Sequence, residues 1–177
     1  MVVPFIQLYQ SDFITDWGHV VSVWSDAGLW ELSFPRPDAD LAFADIKIKD
    51  AKELPVLGEN CYDMALKQEL NLYFKGFNTS FSVPIDWRGY SAFRTVVLKY
   101  TANIPYGEIQ SYGAVAQAVG SPNAARAVGG AMHNNRTPII VPCHRIVGST
   151  GSLTGFGGGL DMKKALLLLE NEKYICQ

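Results

Sequence analysis

Between Ser111 and Asn135 the chain reads SYGAVAQAVGSPNAARAVGGAMHNN. Ser111 is placed to cap a short helix running through Val119, and Gly120 to end it. Ser121 is placed to cap a second helix with Pro122 at its first position, where a missing N–H costs nothing. Two short helices joined through a glycine turn have few ways to pack, and the pattern is that of a helix-turn-helix. The second helix is unusual in its side chains. Ala124, Ala125, Ala127, Gly129, Gly130 and Ala131 are all small, and two adjacent glycines cost a helix roughly 1 kcal/mol each relative to alanine. Either this helix packs closely on the core, or its bare face approaches a partner surface, with Arg126 projecting from it. On DNA such an arginine can neutralise a phosphate, read a base edge or enter a groove.

The flanking segments divide the chain. Upstream, Ser91 starts a helix with Phe93, Val96, Val97 and Tyr100 on one side, stopping before Pro105. Downstream, Asp161–Glu172 reads as an apolar helix with an acidic residue near its N-terminus. The first half is different. Val3–Tyr9, His19–Trp24 and Leu29–Phe34 read as strands, with a hairpin turn at Asp26–Gly28. The prolines of FPRPDADLAF break that pattern. Tyr62, Leu66, Leu70 and Phe74 then recur at helical spacing from Glu59 to Phe74, with Gly76 as a stop. Thr79–Val83 adds a candidate strand, and Pro84–Gly89 reads as a connection. The expected class is α+β: a small β-sheet and helix domain at 1–87 and a mainly helical domain at 88–177. No repeat or low-complexity segment interrupts either.

Composition excludes several classes. With 48% apolar, 12% aromatic and 18% charged residues, the 177-residue chain has enough to bury, and disorder is not expected. No run of about eighteen apolar residues would span a membrane. The start, MVVPFIQLYQSDF, lacks the charged and apolar regions of a signal peptide. A soluble cytoplasmic protein is the expectation. The net charge of −2 hides an asymmetry. Residues 1–89 carry seven Lys/Arg against thirteen Asp/Glu, whereas 90–177 carry eight against four, so the second half is suited to meet an anion. Cys61, Cys143 and Cys176 are odd in number and have no C-x-x-C spacing, which argues against a disulfide framework or a cysteine-rich metal site.

One cysteine has chemical company. In IIVPCHRIV, Cys143 precedes His144 directly. Cysteine is nucleophilic as thiolate, and a histidine can act as the base that generates it. In a regular strand the two side chains would point to opposite faces, so the pair needs a bend after Pro142 or a bridging water. The histidine would also need a carboxylate on its other nitrogen, and Glu170 on the last helix is the best placed. The plain alternative is a buried, inert thiol beside a structural histidine.

PCHR, set after an apolar run, before a glycine loop and downstream of a helix-turn-helix, resembles the O6-alkylguanine-DNA alkyltransferase family. The likeness covers about residues 88–173: IPYGEIQSYGAVA, NAARAVGGAMHNN, PIIVPCHRIV, the glycine loop and KKALLLLE. It implies a winged helix-turn-helix-like fold for this half. It implies that Cys143 takes an alkyl group from guanine O6 and that His144, through a water, and Glu170 activate it. Asn135 would be the hinge after the recognition helix. Tyr112 would crowd the target phosphate and donate a proton to the departing base. Arg126 would fill the gap left by a flipped nucleotide, with Ala125, Ala127 and Gly129 letting the helix enter the minor groove. Met132, Pro138, the backbone of Val141–Ile146 including Arg145 and Ile146, and the loop Ser149–Gly158 with Phe156, Gly157 and Gly158 would line the base pocket. The implied partner is double-stranded DNA containing O6-alkylguanine, and possible substrates extend to O4-alkylthymine. The protein would need no metal or cofactor, act once, and be a monomer able to cluster on DNA, in the cytoplasm or with the nucleoid.

The chain departs from the family pattern in places. Phe156 stands where many relatives carry tyrosine, and Gly157 where some carry serine, so backbone N–H groups are expected to hold O6. Some relatives bind zinc through N-terminal Cys and His; here only Cys61 and His19 are present in that half, and no such site is expected. Three other readings stay open at this point: a non-catalytic alkyltransferase-like protein, a class that lacks the acceptor cysteine; a winged-helix regulator with a structural Cys143; and a Cys-His-Glu hydrolase that turns over.

Overall fold

The computed structural model describes residues 6–171. The start of the expected Val3–Tyr9 strand, Glu172 and Cys176 lie outside the described residues. The chain forms two compact units, Met1–Trp87 and Arg88–Gln177.

In the first unit β1 (Tyr9–Thr15), β2 (Gly18–Ser25) and β3 (Gly28–Leu32) form an antiparallel sheet in the order β1-β2-β3. β2 is buried from Val20 to Trp24 because each face of the sheet carries a helix. Val21 and Val23 pack with Ala42 and Ile46, from α1 (Ala39–Asp45) and its C-cap. On the opposite face Ser22 donates to Asp63 of α2 (Cys61–Phe74) at 3.2 Å, as Ser11 does at 3.1 Å. Lys67 Nζ lies 2.7 Å from the same carboxylate, so this buried acid has the partners it requires.

Several expectations shift here. The first strand begins at Tyr9, where the sequence reading ended it. The proline-broken segment hides α1, capped by Asp38, whose carboxylate accepts from Leu41 N at 2.8 Å. Thr79–Val83 is not a strand; Ser82 N–H is taken by the Glu69 carboxylate of α2 at 3.1 Å instead of by a neighbouring strand. Tyr62 lies in the first turn of α2 and is 47% exposed, while Leu66, Leu70, Tyr73 and Phe74 form the buried stripe.

In the second unit α3 (Ala92–Thr101) is capped by Ser91, as expected. Its buried face is Val97, Leu98 and Thr101, which meets the helix pair below; Val96 is 52% exposed. β4 (Gln110–Ser111) and β5 (Ile146–Val147) form a two-residue parallel pair. α4 (Tyr112–Ala118) follows, with Ser111 Oγ accepting from Ala114 N at 3.1 Å. Its end is a Schellman motif: Ser121 N donates to Ala116 O at 2.9 Å and Gly120 N to Gln117 O at 3.0 Å. That motif consumes Ser121. The second helix, α5 (Ala125–His133), therefore starts later than Ser121 and Pro122 suggested, and Ala124 at its N-cap offers no side-chain acceptor. The last helix is α6 (Leu160–Glu170).

Gly120 has φ +75°, and an added Cβ would meet nothing within 4 Å. Gly120→Ala thus isolates the cost of left-handed backbone, and urea denaturation is expected to show a loss of about 1 kcal/mol.

Candidate active site

Cys143 sits at a double bend. Pro142 has φ −78° and ψ 65°, and Cys143 N donates to Val141 O at 2.8 Å, which is an inverse γ-turn. A 3-10 turn over Cys143–Arg145 follows, closed by Arg145 N to Pro142 O at 2.9 Å. Cys143 and His144 thereby escape strand geometry. Upstream, buried Ile139 holds φ +74°, a costly conformation for a β-branched residue, enforced by Val141 N donating to Thr137 O at 2.9 Å.

Asn135 joins α5 to this turn. Its Nδ2 donates to Val141 O at 2.9 Å and contacts Cys143 Sγ at 3.2 Å; its Oδ1 accepts from Thr137 N at 3.1 Å. The side chain therefore fixes the turn and gives the sulfur a donor. Cys143 is buried, with 6% of its surface exposed. Burial pushes its thiol pKa up, opposed by the Asn135 hydrogen bond and the charge of Lys163.

His144 is fully buried, and its Nε2 lies 2.8 Å from Glu170 Oε1. Arg145 grips the same carboxylate through Nε at 2.9 Å and Nη2 at 2.8 Å, and Nη1 donates to Ile104 O. Gly107 N adds a donor at 3.2 Å. Burial would raise the Glu170 pKa, but the bonds from His144 and Arg145 outweigh it and hold the group at about 2. Burial lowers the His144 pKa despite Glu170. The imidazole is thus neutral, with its proton on Nε2 toward Glu170 and its basic lone pair on Nδ1. Arg145, whose backbone was expected to line the base pocket, sends its guanidinium into this network and completes the carboxylate's shell.

Across α5 lies an open groove of about 810 Å³ lined by Tyr112, Ala125, Arg126, Gly129, His133 and the loop Thr154–Gly157. It brings Arg126, Tyr112, Ala125 and Gly129, expected to face DNA, together with Phe156 and Gly157, expected in the base pocket, and adds His133, Thr154 and Gly155. Ala127 is exposed on the same helix; Met132, Pro138, Val141 and Ile146 are buried and do not line the groove. Gly158, also expected there, is half-buried in the loop. A Cβ on Gly130 would meet nothing within 4 Å, and one on Gly129 only the Tyr112 ring at 3.8 Å. Internal packing therefore does not require these two glycines. Thr154 Oγ1 donates to Tyr112 OH at 3.1 Å.

The sequence reading missed Lys163. It is fully buried on α6, its Nζ 2.6 Å from Ile146 O and 3.4 Å from Thr154 O. Its spacing from Leu166, Leu167 and Glu170 was the available signal, since all four lie on the buried stripe. Among the described residues, no three His, Cys, Asp or Glu side chains converge as metal ligands would.

The sequence model described as 6-O-methylguanine DNA methyltransferase, DNA binding domain, matches residues 92–172. A methylated-DNA–protein-cysteine methyltransferase of Mycobacterium tuberculosis is 51% identical over 105 residues, covering 59% of this chain and 63% of that protein. The match thus spans just under two thirds of that relative's length. One from Methanosarcina acetivorans is 35% identical over 163 residues, 92% of this chain and 98% of its own. The crystal structure of Mycobacterium tuberculosis OGT in complex with DNA superposes with a TM-score of 0.76 at 35% identity, covering 93% of this chain and 94% of that one.

The buried ion network makes stability acid-sensitive. His144 binds a proton more readily unfolded than folded, so stability falls as pH drops below about 6.5. Glu170 has a depressed folded pKa, so its contribution is present above about 4.5 and is lost toward 2. Urea titrations at stepped pH are expected to show both windows. Glu170→Gln should flatten the lower one, which is worth on the order of 3 kcal/mol.

Proposed function

The chain belongs to the O6-methylguanine-DNA methyltransferase family, and on that basis we propose that it repairs DNA by moving the alkyl group of O6-alkylguanine irreversibly onto Cys143. The observation that carries this reading is the turn holding Cys143 beside a neutral His144 whose Nε2 is 2.8 Å from Glu170 Oε1. DNA enters through its minor groove against the bare face of α5. Arg126 occupies the space of the extruded nucleotide, and Tyr112 crowds its phosphate. Extrusion costs a few kcal/mol, less for a damaged and weakly paired base, and it is necessary because the alkyl carbon cannot be reached in line inside the stack.

The Cys143 proton passes to His144 Nδ1, directly or through water, while Glu170 stabilises the imidazolium. The S–C bond forms as the C–O6 bond breaks, and the released electron pair is neutralised by a proton from Tyr112, giving ordinary guanine. Backbone N–H groups of the Phe156–Gly157 loop hold O6 in place of a side-chain hydroxyl. The product is a thioether that no general base can hydrolyse, so each molecule reacts once, without metal or cofactor. O4-alkylthymine is a second candidate substrate. We further place the protein as a monomer that can cluster on DNA, in the cytoplasm or with the nucleoid; among the described residues no helix is long and apolar enough to cross a membrane. The first unit is a structural domain, and the second binds DNA and accepts the alkyl group.

Incubation with duplex O6-methylguanine should add one methyl per molecule in an intact-mass measurement, and nothing in Cys143→Ala. Noncovalent binding alone would overturn transfer, and multiple turnovers would indicate a hydrolase. Arg126→Ala is expected to slow duplex repair by about tenfold, ~1.4 kcal/mol of flipped-state stabilisation, while sparing reaction with free O6-benzylguanine. Gly130→Leu should leave urea stability intact, since leucine is the better helix former and has open space, yet weaken duplex binding at fixed salt by about tenfold.

A further inference from the structure

Lys163 is a buried cation in search of an anion. Its surroundings are two carbonyls, Ile146 O and Thr154 O, and the Phe156 ring, whose centroid is 5.8 Å from Nζ. Among the described residues no carboxylate pairs with it; Glu170, on the same helix, is already taken by His144 and Arg145. The two acceptors come from different places. Ile146 directly follows the turn that carries Cys143, whereas Thr154 and Phe156 belong to the groove loop, and Thr154 also donates to Tyr112. One ammonium therefore links the backbone after the acceptor turn to the loop facing the groove.

We propose that Lys163 is a positioning residue that couples ionisation of Cys143 to closure of the groove loop, its ammonium being the countercharge of the thiolate. Among the described residues the charge that bears on the sulfur is Lys163 of α6. Arg145 and Glu170 neutralise each other, and the imidazole of His144 is neutral, which leaves Lys163 as the uncompensated charge. Lys163 and Cys143 each favour the charged form of the other, against the burial that opposes both. With the thiolate present, the ammonium is held firmly and so is the loop. Once Cys143 is a neutral thioether the anion is gone, the ammonium keeps only its carbonyls, and the loop is held less tightly. This rests on Cys143 being the reactive thiol of the proposed function.

The test uses the intact chain and iodoacetamide, which alkylates thiolates without DNA or base flipping. Peptide mass mapping follows Cys143 alone as pH is varied. In Lys163→Met the pH midpoint of Cys143 alkylation should rise by about one unit, a tenfold loss of thiolate below it, with Lys163→Arg restoring much of the shift. In the wild-type protein, amide hydrogen exchange across 149–158 should quicken after Cys143 is alkylated, with exchange in α5 unchanged. An unshifted midpoint in folded Lys163→Met, or identical loop exchange before and after alkylation, overturns the proposal. The wild-type exchange experiment stands even if the variant fails to fold. Failure of the repair reading would look different: no mass gain from O6-methylguanine duplex, whatever iodoacetamide does.

Discussion

A carboxylate with almost no access to water organises this half of the molecule. Taking an ionised Glu170 out of solvent costs several kcal/mol unless its lone pairs are filled. They are filled by Arg145 twice, by His144 and by the backbone of Gly107. Those donors come from the turn after Pro142 and from the loop before β4, so satisfying one charge draws α6, the turn and that loop to a common point. The Arg145 contact to Ile104 O extends the same junction toward the end of α3. The imidazole is oriented as a consequence, because its Nε2 has an acceptor in one fixed place. The structural demand of Glu170 and the chemical role proposed for it are thus met by the same geometry.

The outer face of α5 follows a different logic. α5 gives up side-chain mass where it could have gained stability: nothing in the fold meets a Cβ at Gly130. The helix is nonetheless held, because Val128, Ala131 and Met132 bury its inner side against α3 and α4. Three inward residues thus suffice to hold the helix, and its outer surface is left bare. Arg126, exposed on that surface beside the groove, is the one long side chain in its first turns.

How much of this could be read from the sequence depended on range. Caps were legible: Ser91 and Ser111 each accept from the backbone three residues on, as their type and position imply. The chemical cluster was legible because residue types are scarce; one Cys-His pair and two downstream glutamates, Glu170 and Glu172, left few combinations. Registers were not. Ser121 looked like a second cap until the Schellman bond to Ala116 claimed it, a contact decided by the helix before it. The inward face of α3 turned on where α4 and α5 lie, which local periodicity does not encode. Arg145 and Lys163 are the instructive misses. Both are buried by partners distant in sequence: Glu170 and Ile104 for the first, Ile146 and Thr154 for the second.

These misses bear on how a buried thiol can be both protected and reactive. Burial disfavours the Cys143 thiolate, which guards the sulfur against casual electrophiles that would reach exposed Cys61. Reactivity then has to come from groups that act only at short range and in a dry site, where a single hydrogen bond or charge counts for more than it does in water. In the proposed reaction Asn135 supplies a donor at 3.2 Å, Lys163 a charge, and His144 the base, whose neutrality is secured by the same burial. A histidine that remained protonated could not take the thiol's proton. The low dielectric that suppresses the nucleophile at rest therefore also keeps its base ready, and the site needs no separate device for each task.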